Sequence, residues 1–322
     1  MKDELYDYFL TILKKKFPRR AELTRALMEL LAIEKEAVYR RLRKEVAFTF
    51  NEVAMIANAW GISLDTVTRV APTRNLPFHL QLTNYLNPPP DDIQVLRRFT
   101  ELLRLVSGDP RAEIMEATNW LPLPLYHAYD HLGRFAAFKW MYQCGDAVQA
   151  PTFGEITLPG EVRRLLDEQH LLLKKIPRTF YVLDHMAFAY LINDIRYFSS
   201  IYLITPGEVE RLREEILQLL DQLEMLTTTG IFPETGDRVY IYISPVNFDV
   251  NYCCIEGNSA KVSMTRAFIM NTMVSLDEYA FKKWKNCILA MKRSSTLISE
   301  SGEKHRIEFF EKQRALVGGL TS

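Results

Sequence analysis

Residues 21–67 read AELTRALMELLAIEKEAVYRRLRKEVAFTFNEVAMIANAWGISLDTV. Three apolar stripes run through this stretch at helical spacing. Leu23, Leu27, Leu30 and Leu31, with Ala26 beneath them, mark a helix from about residue 20, and Ile33 closes a very short connection. Val38 and Leu42, four apart, give the inward face of a second helix over residues 35–44. Thr49-Phe-Asn-Glu52 is a capping box: the Thr49 hydroxyl accepts from the Glu52 amide and the Glu52 carboxylate reaches back. Val53, Ile56, Ala57 and Trp60 follow, with Gly61 as a C-terminal stop. Ser63 can cap a short helix over residues 64–69, and Leu5, Tyr8, Phe9, Ile12 and Leu13 supply a helix upstream that Pro18 ends. The expectation is five short helices in about 70 residues, a bundle able to fold alone.

Charge is unevenly spread. The chain of 322 residues has 40 Lys/Arg and 40 Asp/Glu, a formal net charge of zero. Residues 1–74 hold 14 basic against 10 acidic residues, net +4, and residues 14–44 hold 11 against 4, net +7. Local basicity of this kind is a footprint for a polyanion, although a solvated helical surface can carry the same charge.

The order and spacing of these pieces resemble the helix-turn-helix of lambda-repressor-like (XRE-type) transcription regulators, nearest the BetR-type variety. The matching pieces are residues 23–31, the turn Ala32-Ile33-Glu34, residues 35–44 and residues 50–60, and the most specific match is the closing Gly61-Ile-Ser-Leu-Asp65. The likeness covers about 50 residues, roughly 70 with the first helix. It implies a bacterial DNA-binding regulator whose second helix of the motif enters the major groove of double-stranded DNA. Groove reading independently requires one buried helix face and an opposite face of long donors. With Val38 and Leu42 inward, that face shows Lys35, Glu36, Tyr39, Arg40 and Arg43, the candidates for base contact. Lys14, Lys15, Lys16, Arg19, Arg20, Arg25 and Lys44 are the candidates for phosphate contact, which supplies affinity rather than sequence choice. Two features depart from the family pattern: Ala32 stands where Gly is common, and Glu34 rather than Ser or Thr precedes the second helix.

Pro72, Pro77 and Pro88-Pro-Pro90 mark a boundary, so the expected domains are 1–72, a linker at 73–90, and 91–322 with a possible division near 204. Phe78, Leu80 and Leu82 alternate with polar residues as one short strand. Helices are expected over 91–106, about 122–143, 160–174 and 184–198, and from the cap Thr205-Pro-Gly-Glu208 onward. The stripe Val209, Leu212, Ile216, Leu219, Leu223 and Leu226 suits either a two-stranded dimer seam or packing within its own domain. Residues 238–268 read as a three-stranded antiparallel meander turning at Gly257-Asn258, with Tyr240, Tyr242, Phe248 and Tyr252 able to line an effector pocket. Helices close the chain at about 276–293, capped by Ser275 with Glu278, and at 303–316. The fold class expected is mainly α (α+β): a lambda-repressor-like bundle, then a larger mostly helical domain with a small antiparallel meander.

Cys144, Cys253, Cys254 and Cys287 lack paired metal spacing and are too sparse for a disulfide framework, which fits a reduced cytoplasm. Cys253 and Cys254 fall on opposite faces of a strand, one toward the core and one toward the surface. No apolar run approaches the roughly 18–20 residues needed to span a bilayer, and the opening MKDELYDYFLTILKKK does not read as a leader. His127 and His131 stand four apart on an expected helix, a metal-capable spacing without a third ligand. No phosphate loop, GxSxG elbow or zincin motif is present. The reading is a non-enzymatic regulator, a homodimer on double-stranded DNA, with no cofactor, no metal, no membrane, and an unknown small-molecule or protein effector. Two other classes stay open: a protein-interaction module whose helical head does not bind DNA, and an enzyme in residues 75–322 with an autoregulatory head.

Overall fold

The computed structural model describes residues 2–60, 62, 64, 78–145, 151–258 and 260–320. The chain divides into two compact units, Met1–Pro77 and Phe78–Ser322. The first contains α1 (Lys2–Lys16), α2 (Arg20–Leu31), α3 (Lys35–Leu42) and α4 (Phe50–Trp60). Of the helix expected over 64–69, residues 65–69 lie outside the described residues.

The apolar stripes of α1 to α4 meet in one core built on Phe9, Leu13, Leu23, Leu27, Val38 and Ile56. The Thr49 capping box forms: Glu52 accepts from the Thr49 amide at 2.8 Å, and Thr49 accepts from the Glu52 amide at 3.3 Å. α2 stops on Ala32, whose backbone is left-handed at φ 52°, ψ 43°. α3 is shorter than its periodicity predicts. Arg43 caps it and Lys44 turns left-handed at φ 67°, so both lie past its last turn. Tyr6 explains the early stop: its hydroxyl donates to the Arg41 carbonyl at 3.1 Å and accepts from the Phe48 amide at 3.2 Å, pulling the chain across toward α1.

The second unit is built on a sheet. Among the described residues, β1 (His79–Gln81), β2 (Glu113–Thr118), β3 (Arg178–Asp184), β4 (Arg238–Ser244), β5 (Tyr252–Glu256), β6 (Lys261–Ala267), β7 (Asn271–Ser275) and β8 (Thr296–Leu297) form one eight-stranded sheet. Its order is β1-β7-β6-β5-β2-β3-β4-β8. β2, β3 and β4 run parallel, and every other pairing is antiparallel. The helices are α5 (Pro90–Ser107), the single turn α6 (Leu123–Tyr126), α7 (Asp130–Cys144), α8 (Gly160–Lys174), α9 (Ala187–Ser200), α10 (Pro206–Thr229), α11 (Glu278–Arg293) and α12 (Glu303–Gly318).

Both faces of the sheet are covered. On one, Tyr181, Leu183, Val239 and Ile241 pack with α7, α9, α10 and α12, while Ile114, Cys253, Ile255 and Val262 pack with α5 and α8. On the other, Met115, Val182 and Cys254 meet Phe281 and Ile288 of α11. The chain is therefore α+β, with far more sheet than a small meander. β2 (EIMEAT) and β3 (RTFYVLD) show no period-two alternation because both of their faces are buried, which is the usual condition of parallel strands. β4 pairs with β3, so the antiparallel meander is β5-β6-β7 instead of residues 238–268. Residues 79–81 join the sheet edge by pairing with β7.

Of the two readings of the leucine stripe, packing within its own domain is the one found: Val209, Leu212, Ile216, Leu219, Leu223 and Leu226 are all buried in the unit's own core. Three further expectations change. Cys253 and Cys254 do face opposite ways, but both are buried. His127 lies past the end of α6 and His131 in the first turn of α7, so they share no helix; His127 Nε2 meets Asp167 at 2.8 Å and His131 Nδ1 meets Glu215 at 2.8 Å. Asp277, not Ser275, caps α11, accepting from the Ala280 amide at 2.8 Å. Among the described residues, no helix is long and apolar enough to cross a membrane.

A left-handed conformation costs a residue with a Cβ about 1–2 kcal/mol, part of which glycine returns as unfolded-chain entropy. Ala32→Gly is expected to stabilise the first unit by about 0.5–1 kcal/mol. Hydrogen exchange at the α2 and α3 amides should slow accordingly; faster exchange would show that the methyl group makes a contact worth more than the strain.

Candidate functional site

α3 turns Val38 fully inward, and Leu42 packs against the same core. The opposite surface carries Lys35, Glu36, Arg40 and Arg43 exposed and Tyr39 half-buried. Lys14, Lys15, Lys16, Arg19, Arg20, Arg25 and Lys44 are exposed as well. Tyr39 draws part of this set together. The Arg20 guanidinium, from the first turn of α2, sits 5.2 Å from its ring centroid, and the Lys35 ammonium sits 5.7 Å away. One residue expected at phosphate and one expected at bases thus converge on the ring of a third, itself expected at bases. Among the described residues, neither Arg20 nor Lys35 has a salt-bridge partner.

Other cations are shared with acids. Arg43 contacts Glu36 at 2.7 Å and Glu45 at 2.9 Å, and Arg40 lies 3.8 Å from Glu45. Arg19 pairs with Glu22 at 3.2 Å, and Lys44 pairs with Asp7 of α1. These partners are exposed, and such pairs contribute about 0–1 kcal/mol in water, so a phosphate can displace them. Lys16 is placed differently. Its ammonium donates to the Trp60 carbonyl at the end of α4, and partial burial lowers its pKa. Lys14, Lys15 and Lys16 occupy the last turn of α1, where cations also suit the helix dipole.

Arg41 faces the other way. Its Nε and Nη2 hold Glu52 at 3.1 Å and 2.7 Å, a bidentate clamp between α3 and α4 with both side chains 15% exposed. The same carboxylate therefore serves the Thr49 capping box and fixes the pitch of α3.

A second feature, which sequence reasoning did not find, lies inside the second unit. A cavity of about 190 Å³ opens between the sheet and the helices α5, α6 and α8. Its floor holds Glu116, Cys253, Asn251 and Arg266, with Tyr181 beside Glu116 on the neighbouring strand. Asn251 Nδ2 donates to Glu116 Oε1 at 2.5 Å. Burial raises the Glu116 pKa, opposed by the Arg266 charge and by the Asn251 bond. Among the described residues the buried Tyr181 hydroxyl has no hydrogen-bond partner, and burial raises its pKa and that of the Cys253 thiol. One signal was available: Arg266 falls in phase with Val262 and Met264 on β6, putting a charge on the core-facing side. Tyr240, Tyr242, Phe248 and Tyr252 do not line this cavity; Phe248, Tyr242 and Tyr252 pack on the α11 side.

No family model, curated protein or solved structure matches the chain.

For Glu52, burial raises the carboxyl pKa, but the Arg41 and Thr49 hydrogen bonds outweigh it and leave the pKa below the ordinary 4.5. A depressed folded value means stability that is complete above the unfolded pKa and lost as pH falls through the folded one. Urea unfolding of the first unit should therefore become easier below about pH 4.5, and Glu52→Gln should flatten that dependence. An unchanged acid limb in the variant would show that Glu52 does not govern it.

Proposed function

We propose that the first unit reads double-stranded DNA through α2 and α3, and that the chain is a transcription regulator acting as a homodimer, with the second unit as its sensing and dimerisation body. The reading is supported above all by the cluster in which Arg20 and Lys35 flank the Tyr39 ring on an exposed surface whose opposite side, at Val38, is wholly buried. α3 begins three positions after the left-handed Ala32, as a short turn between the two helices of a groove-reading motif requires. Arg40 and Arg43 are long enough to leave their surface acids for guanine O6 and N7, at about 1–3 kcal/mol of discrimination per good pair. In this reading the lambda-repressor-like resemblance extends to the full bundle of five helices.

Phe50 is 78% exposed and Met55 47% exposed on α4, which favours a second reading in which the first unit docks another protein. The two differ in what a polyanion does to them.

Selection of bound duplexes from a random pool, followed by titration at several salt concentrations, tests the proposal. Affinity should fall steeply with salt, at about 0.9 decade per decade for each phosphate contact. Arg40→Ala and Arg43→Ala should relax base preference, whereas a triple Ala substitution at Lys14, Lys15 and Lys16 should weaken all duplexes alike. A dimer should select half-sites about 34 Å apart. Equal affinity for selected and scrambled DNA would overturn sequence reading, and no retention of DNA at low salt would favour the protein-docking alternative.

A further inference from the structure

We propose that the cavity in the second unit binds an amphipathic monocarboxylate, with the carboxylate on Arg266 and the apolar body against Leu96, Phe99, Leu166 and Leu173. The inference does not rest on the DNA reading, since the cavity lies wholly within residues 78–322.

The cavity is lined mainly by apolar side chains from α5 and α8 above and from Ile114, Ile255 and Met264 below. Such a chamber suits a hydrocarbon or aromatic body, and a few convergent polar groups then fix its orientation. Those groups are grouped by strand register. Glu116 stands opposite Cys253 on one side and Tyr181 on the other; Arg266 stands opposite Thr272, which stands opposite Gln81.

Arg266 decides the ligand's charge. Among the described residues its guanidinium has neither a hydrogen bond nor an ion-pair partner, although it is half-buried and lines the cavity. A guanidinium withdrawn from water is costly unless an anion pairs with it, and its planar fork matches a carboxylate at two points. Glu116 does not fill that role, because no contact within ion-pair distance joins the two. One of its oxygens is already occupied by Asn251, and the other is open to a hydroxyl or an acid proton. A second observation points into the same space. Tyr181 is fully buried, its hydroxyl has no partner among the described residues, and it lines the cavity next to Glu116. A buried hydroxyl left in that state keeps an uncompensated desolvation penalty, which a polar ligand atom relieves. A dianion such as a phosphate monoester is disfavoured, because Glu116 shares the floor; a single negative charge is what one arginine balances.

The wall beside Arg266 is strained. Phe268 and Ile269 adopt successive left-handed conformations, φ 46° and 67°, in the β6–β7 connection, which is costly for a β-branched residue such as Ile269. Ile269 and Met270 line the cavity, and the Tyr85 hydroxyl and the Thr83 amide tie this connection down through Met270 O at 3.0 Å and Asn271 Oδ1 at 2.8 Å.

The test is calorimetric titration of the full chain, without DNA, with straight-chain carboxylates of six to twelve carbons, with phenylalkanoates, and with the matching alcohols. At least one acid should bind one-to-one and exceed its alcohol by about 10- to 100-fold, the range of a charge-assisted hydrogen bond. Arg266→Met should abolish that preference by lowering the acid's affinity to that of the alcohol. Leu96→Trp, which fills the chamber, should weaken acid and alcohol together. Absence of binding by every acid to the wild-type chain overturns the proposal even if a variant fails to fold, and so does an Arg266→Met variant that keeps the acid preference. Retention of DNA is read in a separate assay, so failure there leaves this result standing.

Discussion

Burial of the sheet on both faces is the constraint from which the second unit follows. With α11 on one side and the α5–α10 and α12 layer on the other, no strand at the centre has a solvent face on which to place polar groups at no cost. Tyr181 and Cys253 accordingly carry raised pKa values, and polar side chains there persist only with partners or with a purpose. Lys285 shows the partnered solution: from α11 it reaches Glu113 at 2.5 Å and Glu256 at 2.6 Å, stitching β2 to β5 at the sheet's rim. Glu116 and Arg266 lie deeper, on the side away from α11, and there the packing leaves a chamber. Charge and void occur together, and that coincidence makes the cavity chemically specific.

In the first unit, magnitudes separate two kinds of arginine. Arg41 and Glu52 are largely withdrawn from water and joined at two points, so removal of either strands a charge and loosens α3 from α4. Arg40 and Arg43 lean on acids that are themselves in water, where the gain is small and easily exchanged. A helix needs the first kind to hold its angle and the second to meet a partner. Neighbouring positions on α3 supply both, because a step of one residue rotates a side chain by about 100° around the axis.

Much of the first unit was legible from residues 1–60, because its signals are local. Apolar spacing of three and four specifies which helix face is buried, and the Thr49 box needs only four residues to form. The exposure of Lys35, Arg40 and Arg43 follows from the burial of Val38. The end of α3 was not legible, since it depends on Tyr6, which lies 35 residues from Arg41. Pairing of Lys44 with Asp7 likewise needs α1 beside the end of α3.

The second unit shows the opposite balance. By itself the sequence determined most of its helices, though not the break that divides the expected helix over 122–143 into α6 and α7, and it determined the Thr205 cap and the Gly257-Asn258 turn, which rest on interactions within a few residues. Only tertiary structure decided that β2 and β3 exist as central strands, that β4 joins them in parallel, and that the leucine stripe of α10 is consumed by its own core. Parallel pairing brings together segments separated by whole helices, and double burial erases the alternation that identifies a strand locally. The cavity belongs to the same class. Glu116 and Arg266 are 150 positions apart, and no short-range rule places them on one floor; the register of β2, β5 and β6 does.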